Sequence, residues 1–252
     1  MPRPEPTAAV VVLALARAAA DLVLGASCAG CAREPGLLCL HCRDALAAPA
    51  RRVAPEPAPP GLPPVHAVAP YEGAVRTILG AHKEAGRLGL ARPLGEALAR
   101  AVCGGLGGVR GPVSRVVLVP VPSRPGSARR RGHEPLLRTA RWAATGLRRA
   151  DLRAQVVPAL VHRRAVADQA GLDHRQRRVN LAGALGLRRS AAPLLQGAVV
   201  VVVDDVMTTG ATLAEATRAL ASGCVAVEAA AVVAATRRRS LPTRVSVGPR
   251  SD

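Results

Sequence analysis

The stretch VVVVVDDVMTTGAT at residues 199–212 contains five consecutive valines, two adjacent aspartates and a turn rich in threonine. β-Branched valines favour strands, and a run that is apolar throughout is typical of a strand buried on both faces of a parallel sheet. A helix-forming stretch, ATLAEATRALASG, begins within the same segment at residue 211. Ligands of open α/β sheets bind at the carboxyl ends of the strands. Residues 204–212 therefore predict a binding site at the end of this strand.

The chain between residue 65 and about residue 236 repeats this alternation of strand and helix. The apolar runs VHAVAPY, RVVLVPVP and VAVEAAAVVA are predicted strands, and the stretches rich in alanine and leucine between them are predicted helices. Apolar strands separated by helices indicate a parallel sheet that is covered on both faces. The predicted fold class is therefore α/β.

Composition divides the 252 residues into five segments. An apolar run predicts an amphipathic helix, a cysteine cluster follows it, and prolines then predict a semi-extended linker. The final residues lack periodicity and are predicted to be disordered. The predicted segments are the helix (1–24), a cysteine knuckle (25–48), the linker (49–64), the α/β domain (65–238) and the tail (239–252).

The apolar run at residues 8–25 raises the question of a membrane span or a signal peptide. Arg17 and Asp21 interrupt the run, which is shorter than the roughly 20 apolar residues that a span requires. Charges inside the apolar core also argue against a signal peptide. No membrane span is predicted, and the expected compartment is the cytoplasm, where cysteines are usually thiols or metal ligands.

The net charge of +18 favours an acidic partner such as nucleic acid, a polyphosphate or a membrane surface. Lys83 is the only lysine, so nearly all of the positive charge is arginine, a bias that GC-rich coding produces whatever the function. Single-stranded nucleic acid is usually bound by base stacking, which supplies about 1–3 kcal/mol per base. Trp142 and Tyr71 are the only aromatic residues available for it, and both are expected to be packing residues instead.

Two C-x-x-C pairs, CAGC and CLHC, lie seven residues apart near the start of the chain. Each pair presents two thiolates from one tight turn, and the turn between them allows tetrahedral coordination of a structural Zn²⁺. The alternatives are two redox-active dithiols or unrelated cysteines. The predicted zinc ligands are Cys28, Cys31, Cys39 and Cys42.

The turn after the valine strand has the features of a phosphate cradle. Hydroxyls, backbone N–H groups and the positive end of a helix dipole converge there, and Gly210 lets the backbone approach closely. Asp204 and Asp205 have the wrong charge for phosphate, so they predict a ribose diol or a magnesium ion as their partner. A Walker B segment would also end in aspartates, but the sequence has no G-x-x-x-x-G-K-[ST] motif.

This segment resembles the phosphoribosyl pyrophosphate (PRPP) signature of type I phosphoribosyltransferases. The chain as a whole resembles the ComF/GntX branch of that family over about residues 8–236, with the family's motifs in the family's order. The branch has a cysteine knuckle, a Y-x-G segment with a later lysine, a P-V-P element and an R-G motif. Further along the chain it has a spaced arginine, glutamine, arginine and asparagine. After the cysteines, the matching positions are Tyr71, Gly73, Arg76 and Lys83; Pro120, Val121 and Pro122; Arg131 and Gly132; and Arg164, Gln169, Arg177 and Asn180.

The resemblance implies an enzyme that binds PRPP with Mg²⁺ and transfers the phosphoribosyl group, a pentosyl group, to a nitrogen acceptor with release of pyrophosphate. It implies catalytic roles at the ribose hydroxyls for Asp204 and Asp205. The implied 5-phosphate ligands are Val206, Met207, Thr208, Thr209, Gly210, Ala211 and Thr212. The implied pyrophosphate loop contains Ser123, Arg124 and Arg131, and the implied lid contains Arg164, Gln169, Arg177 and Asn180.

The sequence departs from the family where R-G-F-N-Q is usual, because residues 131–135 read RGHEP. The resemblance also carries a rival function, since ComF-like proteins are associated with DNA uptake and natural competence. In that alternative the protein is a non-catalytic accessory that binds single-stranded DNA or partner proteins, including competence or replication-restart proteins. The arginine run at residues 129–131 fits either a basic surface or a pyrophosphate site. The sequence leaves open whether the protein forms a homo-oligomer and which molecule accepts the phosphoribosyl group.

Overall fold

The fold is taken from a computed structural model, which describes residues 27–109, 111, 113–123, 133–164 and 181–236. The predicted N-terminal helix (1–24) and the predicted tail (239–252) lie outside the described residues.

The centre of the molecule is a six-stranded sheet with the order β1-β2-β8-β7-β3-β4. All neighbouring strands are parallel except β1, which pairs antiparallel with β2. Two further strands, β5 and β6, form an antiparallel hairpin of their own. The strands are β1 (Arg51–Val53), β2 (Val65–Pro70), β3 (Val116–Pro120), β4 (Ala154–Val156), β5 (Leu160–His162), β6 (Leu185–Leu187), β7 (Val199–Met207) and β8 (Ala229–Ala235).

Helices cover both faces of this sheet. The helices are α1 (Leu40–Asp44), α2 (Gly73–Lys83), α3 (Ala91–Leu106), α4 (Pro135–Arg149), α5 (Ala192–Leu195) and α6 (Ala211–Ala221), with 3₁₀ turns at Leu88–Leu90 and Arg189–Ala191. α2, α3 and α4 share one apolar core with the sheet, whereas α6 and the β5–β6 hairpin pack on the other face. The prediction of an α/β fold with a mostly parallel sheet is confirmed. The sequence did not predict β4, β5 and β6, because three-residue strands carry too little pattern.

The proline-rich segment 49–64 contributes to the sheet as well as connecting its neighbours. Its residues 51–53 form β1 at the edge of the sheet, where a strand next to prolines is tolerated. Pro55 and Leu62 then pack against Gly210, so a Cβ atom at that glycine would lie only 3.1 Å from each of them. The segment predicted as a linker therefore forms part of the wall behind the β7 turn.

The cysteine knuckle packs on the α/β domain and shares its core. Cys28, Cys39 and Cys42 are buried in the same apolar cluster as α2, and a Cβ atom at Gly30 would lie 3.2 Å from the Cβ of Ala74 on that helix. The Arg87 guanidinium reaches back across the same contact and donates to the Ser27 carbonyl at 2.8 Å. The knuckle and the start of the domain are thus joined by packing and by a hydrogen bond.

Within the described residues, no helix combines the length and the apolar character that crossing a membrane would require.

The close approach of α3 and α4 provides a steric test of the fold. A Cβ atom at Gly95 on α3 would clash with the Cβ of Trp142 on α4 and would lie 2.8 Å from the Thr139 carbonyl oxygen. We therefore expect Gly95→Ala to lower the free energy of unfolding by about 2–4 kcal/mol. The matched control is Gly80→Ala on α2, where a Cβ atom would meet nothing within 4 Å. Gly80→Ala should stabilise the helix by about 0.5–1 kcal/mol, and denaturant unfolding measures both changes. Equal effects of the two substitutions would contradict the close approach of α3 and α4.

Candidate functional site

The two aspartates lie on the last part of β7, where that strand extends beyond its neighbour β3. The register pairs Pro120 with Val203, and the N–H of Val121 donates to the Val203 carbonyl at 3.0 Å. The N–H groups of alternate β3 residues face β7, and the ladder between the two strands ends at this bond. On the other side, β7 remains paired with β8 as far as Met207. The strand is therefore longer than predicted, and one of its edges is open at Asp204 and Asp205.

A cavity of about 350 Å³ lies at this open edge. Residues from the ends of three strands, from α2 and from the β5–β6 hairpin meet in its wall. The lining residues are Tyr71, Lys83, Val121, Pro122, His162, Leu181, Leu185, Asp204, Asp205, Val206, Thr208 and Thr212. Five of them were predicted from the sequence as ligand-binding residues, and the remaining predicted members of the loop, Met207, Thr209, Gly210 and Ala211, are buried beside the cavity.

The aspartates differ in their partners. Successive residues of a strand point to opposite faces of a sheet, so the two carboxyl groups approach the cavity from different sides. Asp205 forms an ion pair with Lys83 at the end of α2. Asp204 accepts a hydrogen bond at 2.8 Å from the backbone N–H of Asp205. This arrangement leaves one carboxylate charge-compensated and the other held mainly by backbone.

Burial of Asp204 has a consequence for its proton. Loss of solvation raises the pKa of this carboxyl to about 6, and the positive charge of Lys83 offsets only part of that rise. The carboxyl group therefore exchanges its proton between about pH 5 and 7. Above that range it is ionised, which is the form that accepts hydrogen bonds from a diol or binds a cation.

The turn that follows β7 has the backbone shape expected of a phosphate cradle. Gly210 adopts a left-handed conformation with φ of 72° and precedes the first turn of α6. The Thr209 hydroxyl accepts from the N–H of Ala211 at 3.4 Å, and the Thr236 hydroxyl donates to the Thr208 carbonyl at 3.2 Å. The N–H groups of a first helical turn have no acceptor within the helix, so this end of α6 favours an anion.

The end of β3 presents a different electrostatic environment. The Ser123 hydroxyl, which was predicted to bind pyrophosphate, donates to the Glu134 carboxylate at 2.6 Å. A carboxylate therefore stands beside the predicted anion site. Arg124 and Arg131, the other predicted residues of this loop, lie outside the described residues.

The predicted lid is described only at its ends. Arg164 is exposed and donates to the Ala182 carbonyl at 2.8 Å, which ties the two sides of the segment together beyond the β5–β6 hairpin. Gln169, Arg177 and Asn180 lie outside the described residues.

Three residues of the cavity wall with polar or charged side chains, and one beside it, were not predicted as site residues from the sequence. Lys83 was noted only as a family match, although its being the single lysine was a usable signal. Tyr71 was expected to be a packing residue, and Glu134 was noted only as part of the altered RGHEP segment. His162 carried no signal, because its position depends on how the hairpin packs against the end of β3.

The four predicted zinc ligands come together. Their Sγ atoms all lie within 4.8 Å of one another, and the Sγ atoms of Cys31 and Cys39 are 3.7 Å apart. Burial opposes ionisation of Cys28, but backbone N–H groups that point at its sulfur prevail and lower the pKa of this thiol to about 6. A pre-formed cluster of four sulfurs with one readily ionised member fits Zn²⁺, which binds thiolates in tetrahedral geometry.

A family model for the phosphoribosyl transferase domain matches residues 146–247. The matched region contains the β5–β6 hairpin, the strand that carries the two aspartates, the threonine-rich turn and α6. Together with the fold and the site, this match supports a protein of the phosphoribosyltransferase type, for which a phosphoribosyl compound is the expected ligand. No curated protein matches the chain.

The cysteine cluster predicts a structural metal. We expect the purified protein to contain zinc, and Cys39→Ser to lose most of it because one of four ligands is removed. Loss of a metal site is among the largest effects of single substitutions, at about 3 kcal/mol or more, which corresponds to a fall in Tm of about 6–12 °C for a domain of this size. Cys103→Ser is the control, because Cys103 is exposed and lies outside the cluster. Elemental analysis and thermal unfolding measure the two effects, and an unchanged zinc content in Cys39→Ser would argue against the cluster as the metal site.

The raised pKa of Asp204 predicts a pH dependence of stability. The folded protein keeps this proton up to about pH 6, whereas the unfolded chain loses it near the ordinary aspartate pKa of 3.8. Folding therefore binds a proton between these values, so this group makes the free energy of unfolding fall as pH rises from about 4 to 6. Asp204→Asn should remove that part of the slope in magnesium-free buffer. The control Asp151→Asn, at an exposed residue, should keep that part of the slope. Denaturant unfolding of both variants between about pH 4 and 6 measures the difference. A slope that survives in Asp204→Asn belongs to another group.

Proposed function

We propose that the protein binds PRPP together with Mg²⁺ at the open edge of β7 and transfers its phosphoribosyl group to a nitrogen acceptor. The observation that carries this proposal is the meeting of two carboxyl groups and a helix N-terminus in one cavity. Asp204 and Asp205 offer acceptors for neighbouring hydroxyls, and the turn at residues 208–212 offers donors for a phosphate. A phosphorylated ribose requires this combination.

The proposed binding mode assigns a separate task to each part of the edge. The N–H groups and hydroxyls of residues 208–212 hold the 5-phosphate, with Gly210 allowing the close approach. Asp204 accepts from the ribose diol once it is ionised. When the ligand binds, Asp205 contacts the ribose and its ion pair with Lys83 weakens. Lys83 then becomes available to the phosphate groups. The site thus starts with its charges paired and rearranges when the anionic ligand arrives.

The pyrophosphate end of the ligand would lie near Ser123. The Glu134 carboxylate there repels an anion, since like charges a few ångströms apart destabilise each other. Mg²⁺ held with the ligand near the Asp204 and Asp205 carboxylates would supply compensating positive charge. We therefore expect this chain to depend strongly on the cation for binding, because the described part of the loop carries a carboxylate beside the anion.

The proposed reaction needs mainly positioning and charge stabilisation from the protein. A nitrogen nucleophile attacks the anomeric carbon as the bond to pyrophosphate breaks, and positive charge develops on the ribose ring. The carboxylates at the end of β7 lie where they stabilise this charge. The lid candidates Arg164, Gln169, Arg177 and Asn180 would exclude water during transfer. This division of labour is the proposed mechanism.

We further propose that the protein belongs to the ComF/GntX branch and acts in the cytoplasm. The support is the combination of a four-cysteine knuckle with the aspartate and threonine turn in one chain. In this proposal the knuckle and segment 49–64 form the hood of the acceptor site. Segment 49–64 already packs against Gly210 through Pro55 and Leu62.

One observation favours a second candidate function, the binding of single-stranded DNA or of a partner protein without catalysis. α4 exposes Arg138, Arg141 and Arg149 together with Trp142, a residue that is 38% exposed and whose ring centroid lies 5.9 Å from the Arg92 guanidinium carbon. Exposed arginines on one helix suit a phosphate backbone. The single tryptophan provides little stacking surface and already contacts an arginine, so we place this function second.

Calorimetry with PRPP in the presence and absence of Mg²⁺ tests the first candidate. Wild type should bind PRPP only with the cation. The double substitution Asp204→Asn/Asp205→Asn should weaken binding by at least about 30-fold, or about 2 kcal/mol, because hydrogen bonds to charged groups contribute about 1.5–3 kcal/mol each. Asp151→Asn, far from the cavity, should bind as wild type does.

Two outcomes would redirect the assignment. No binding of PRPP at millimolar concentration would refute the proposed site. Steeply salt-dependent binding of single-stranded DNA that is indifferent to the double substitution, but is weakened by Arg138→Gln and Arg141→Gln, would favour the second candidate.

A further inference from the structure

An ion pair on α6 grips the backbone of the β5–β6 hairpin at a single residue, Leu185. Glu215 is 5% exposed and accepts a hydrogen bond from the backbone N–H of Leu185 at 3.0 Å. Arg218, three residues further along α6, donates to the Leu185 carbonyl at 2.9 Å. The guanidinium also donates to both carboxylate oxygens of Glu215, each at 2.8 Å. Glu215 and Arg218 are called the clasp below, because together they hold both backbone groups of Leu185.

The clasp is ionic although its carboxylate is buried. Burial opposes ionisation of Glu215, but hydrogen bonds from Arg218 and from backbone N–H groups prevail and hold the pKa of this carboxyl below its usual range. An arginine that binds a carboxylate through two parallel hydrogen bonds fixes the geometry of both partners. The clasp therefore specifies where the backbone of Leu185 lies relative to α6.

Leu185 lies on a path that connects the two ends of the cavity. It lines the cavity, and the register of the hairpin pairs it with His162. The Nε2 atom of His162 donates to the Ser123 carbonyl at 3.0 Å, since a carbonyl oxygen can only accept. At the other end, α6 begins at Ala211, within the turn that is proposed to hold the 5-phosphate. The path therefore runs from this turn through α6, the clasp and the hairpin to the end of β3.

The sheet itself does not make this connection. The ladder between β3 and β7 ends with the bond from Val121 to Val203. Among the described residues, no backbone hydrogen bond joins residues 122–123 to residues 204–212. The turn proposed for the 5-phosphate and the end of β3 proposed for pyrophosphate thus belong to loops whose separation depends on the hairpin.

We propose that Glu215 and Arg218 are positioning residues that set the separation between the two anion-binding ends of the cavity. This inference rests on the proposed function and deepens it. PRPP carries its 5-phosphate and its pyrophosphate on one ribose, so it engages both ends only where their separation matches the ligand. Joining two binding sites in this way raises affinity by about 10²- to 10⁴-fold over either site alone.

Neither residue of the clasp lines the cavity. Both act on it through Leu185 and, across the hairpin, through His162. Loss of the clasp should therefore leave each end of the cavity intact and change only the separation between the ends. A ligand that uses one end should bind unchanged, whereas a ligand that spans both should bind more weakly. General loss of structure would weaken the binding of all these ligands.

Two substitutions remove the clasp in different ways. Glu215→Gln keeps the size of the side chain and removes its charge. Arg218→Gln withdraws the donor to the Leu185 carbonyl and changes a side chain that is 50% exposed, where substitutions are usually tolerated. The matched control is Glu96→Gln. Glu96 also accepts from an arginine of its own helix, at 3.0 Å, but that helix, α3, covers the opposite face of the sheet.

The readouts are calorimetry of PRPP with Mg²⁺ and ligand-observed NMR of two fragments, ribose 5-phosphate and magnesium pyrophosphate. We expect both clasp variants to bind PRPP at least about 10-fold more weakly than wild type, because part of the advantage of joined sites is lost. Each fragment should bind within about twofold of its wild-type affinity. Glu96→Gln should bind all three ligands as wild type does. Far-UV circular dichroism establishes that each variant is folded.

Unchanged PRPP affinity in either folded clasp variant overturns the positioning role. Equal weakening of PRPP and of either fragment indicates damage to one end of the cavity and overturns it too, as does an equal loss in Glu96→Gln. A wild type that binds PRPP but neither fragment has no separate ends to position, which also overturns it.

The remaining outcomes concern folding and the proposed function. If Glu215→Gln unfolds, Arg218→Gln decides, and unfolding of both variants indicates a purely structural role and overturns the inference. Failure of wild type to bind PRPP refutes the proposed function, and the inference falls with it. Every other failure occurs in a wild type that binds PRPP, so the two kinds of failure are distinguishable.

Discussion

The unequal ends of β3 and β7 are the constraint on which the rest of this molecule depends. The β3–β7 ladder stops at Pro120 and Val203, while β7 continues along β8 to Met207. The acidic pair therefore projects into a cavity instead of being sealed between two strands. Had β3 continued, its side chains and its backbone would have covered Asp204 and Asp205, and the threonine turn would have had no carboxylates beside it.

Lys83 connects this edge to the opposite end of the chain. The lysine ends α2, and α2 packs through Ala74 on the cysteine knuckle, so the packing of the four-cysteine cluster and the charge of the cavity meet on one helix. The ion pair compensates the charge of Asp205 within the cavity. Burial at the same edge raises the pKa of Asp204. Glu134 adds a negative charge beside Ser123, at the end of β3.

The parts of the site that follow one another along the chain could be predicted, and the parts that meet only in space could not. The turn at residues 208–212 and the two C-x-x-C pairs are local patterns, and their members lie together as predicted. The pairing of Ser123 with Glu134 spans eleven residues, and the contact of His162 with Ser123 spans thirty-nine. Neither has a periodic or spaced signature. The edge strand β1 was also hidden, since proline-rich composition indicates a linker and does not reveal pairing at a sheet edge.

The sequence by itself determined the α/β fold class, the composition of the threonine-rich turn and the four-sulfur cluster, because strand burial, turns and C-x-x-C pairs depend on neighbouring residues. Only the tertiary structure decided which groups share the cavity. The register of β7 against β3, the reach of Lys83 from α2 and the packing of the β5–β6 hairpin each depend on contacts between distant segments. Those contacts set the burial that raises the pKa of Asp204, and they leave Nδ1 of His162 buried without a hydrogen-bond partner among the described residues.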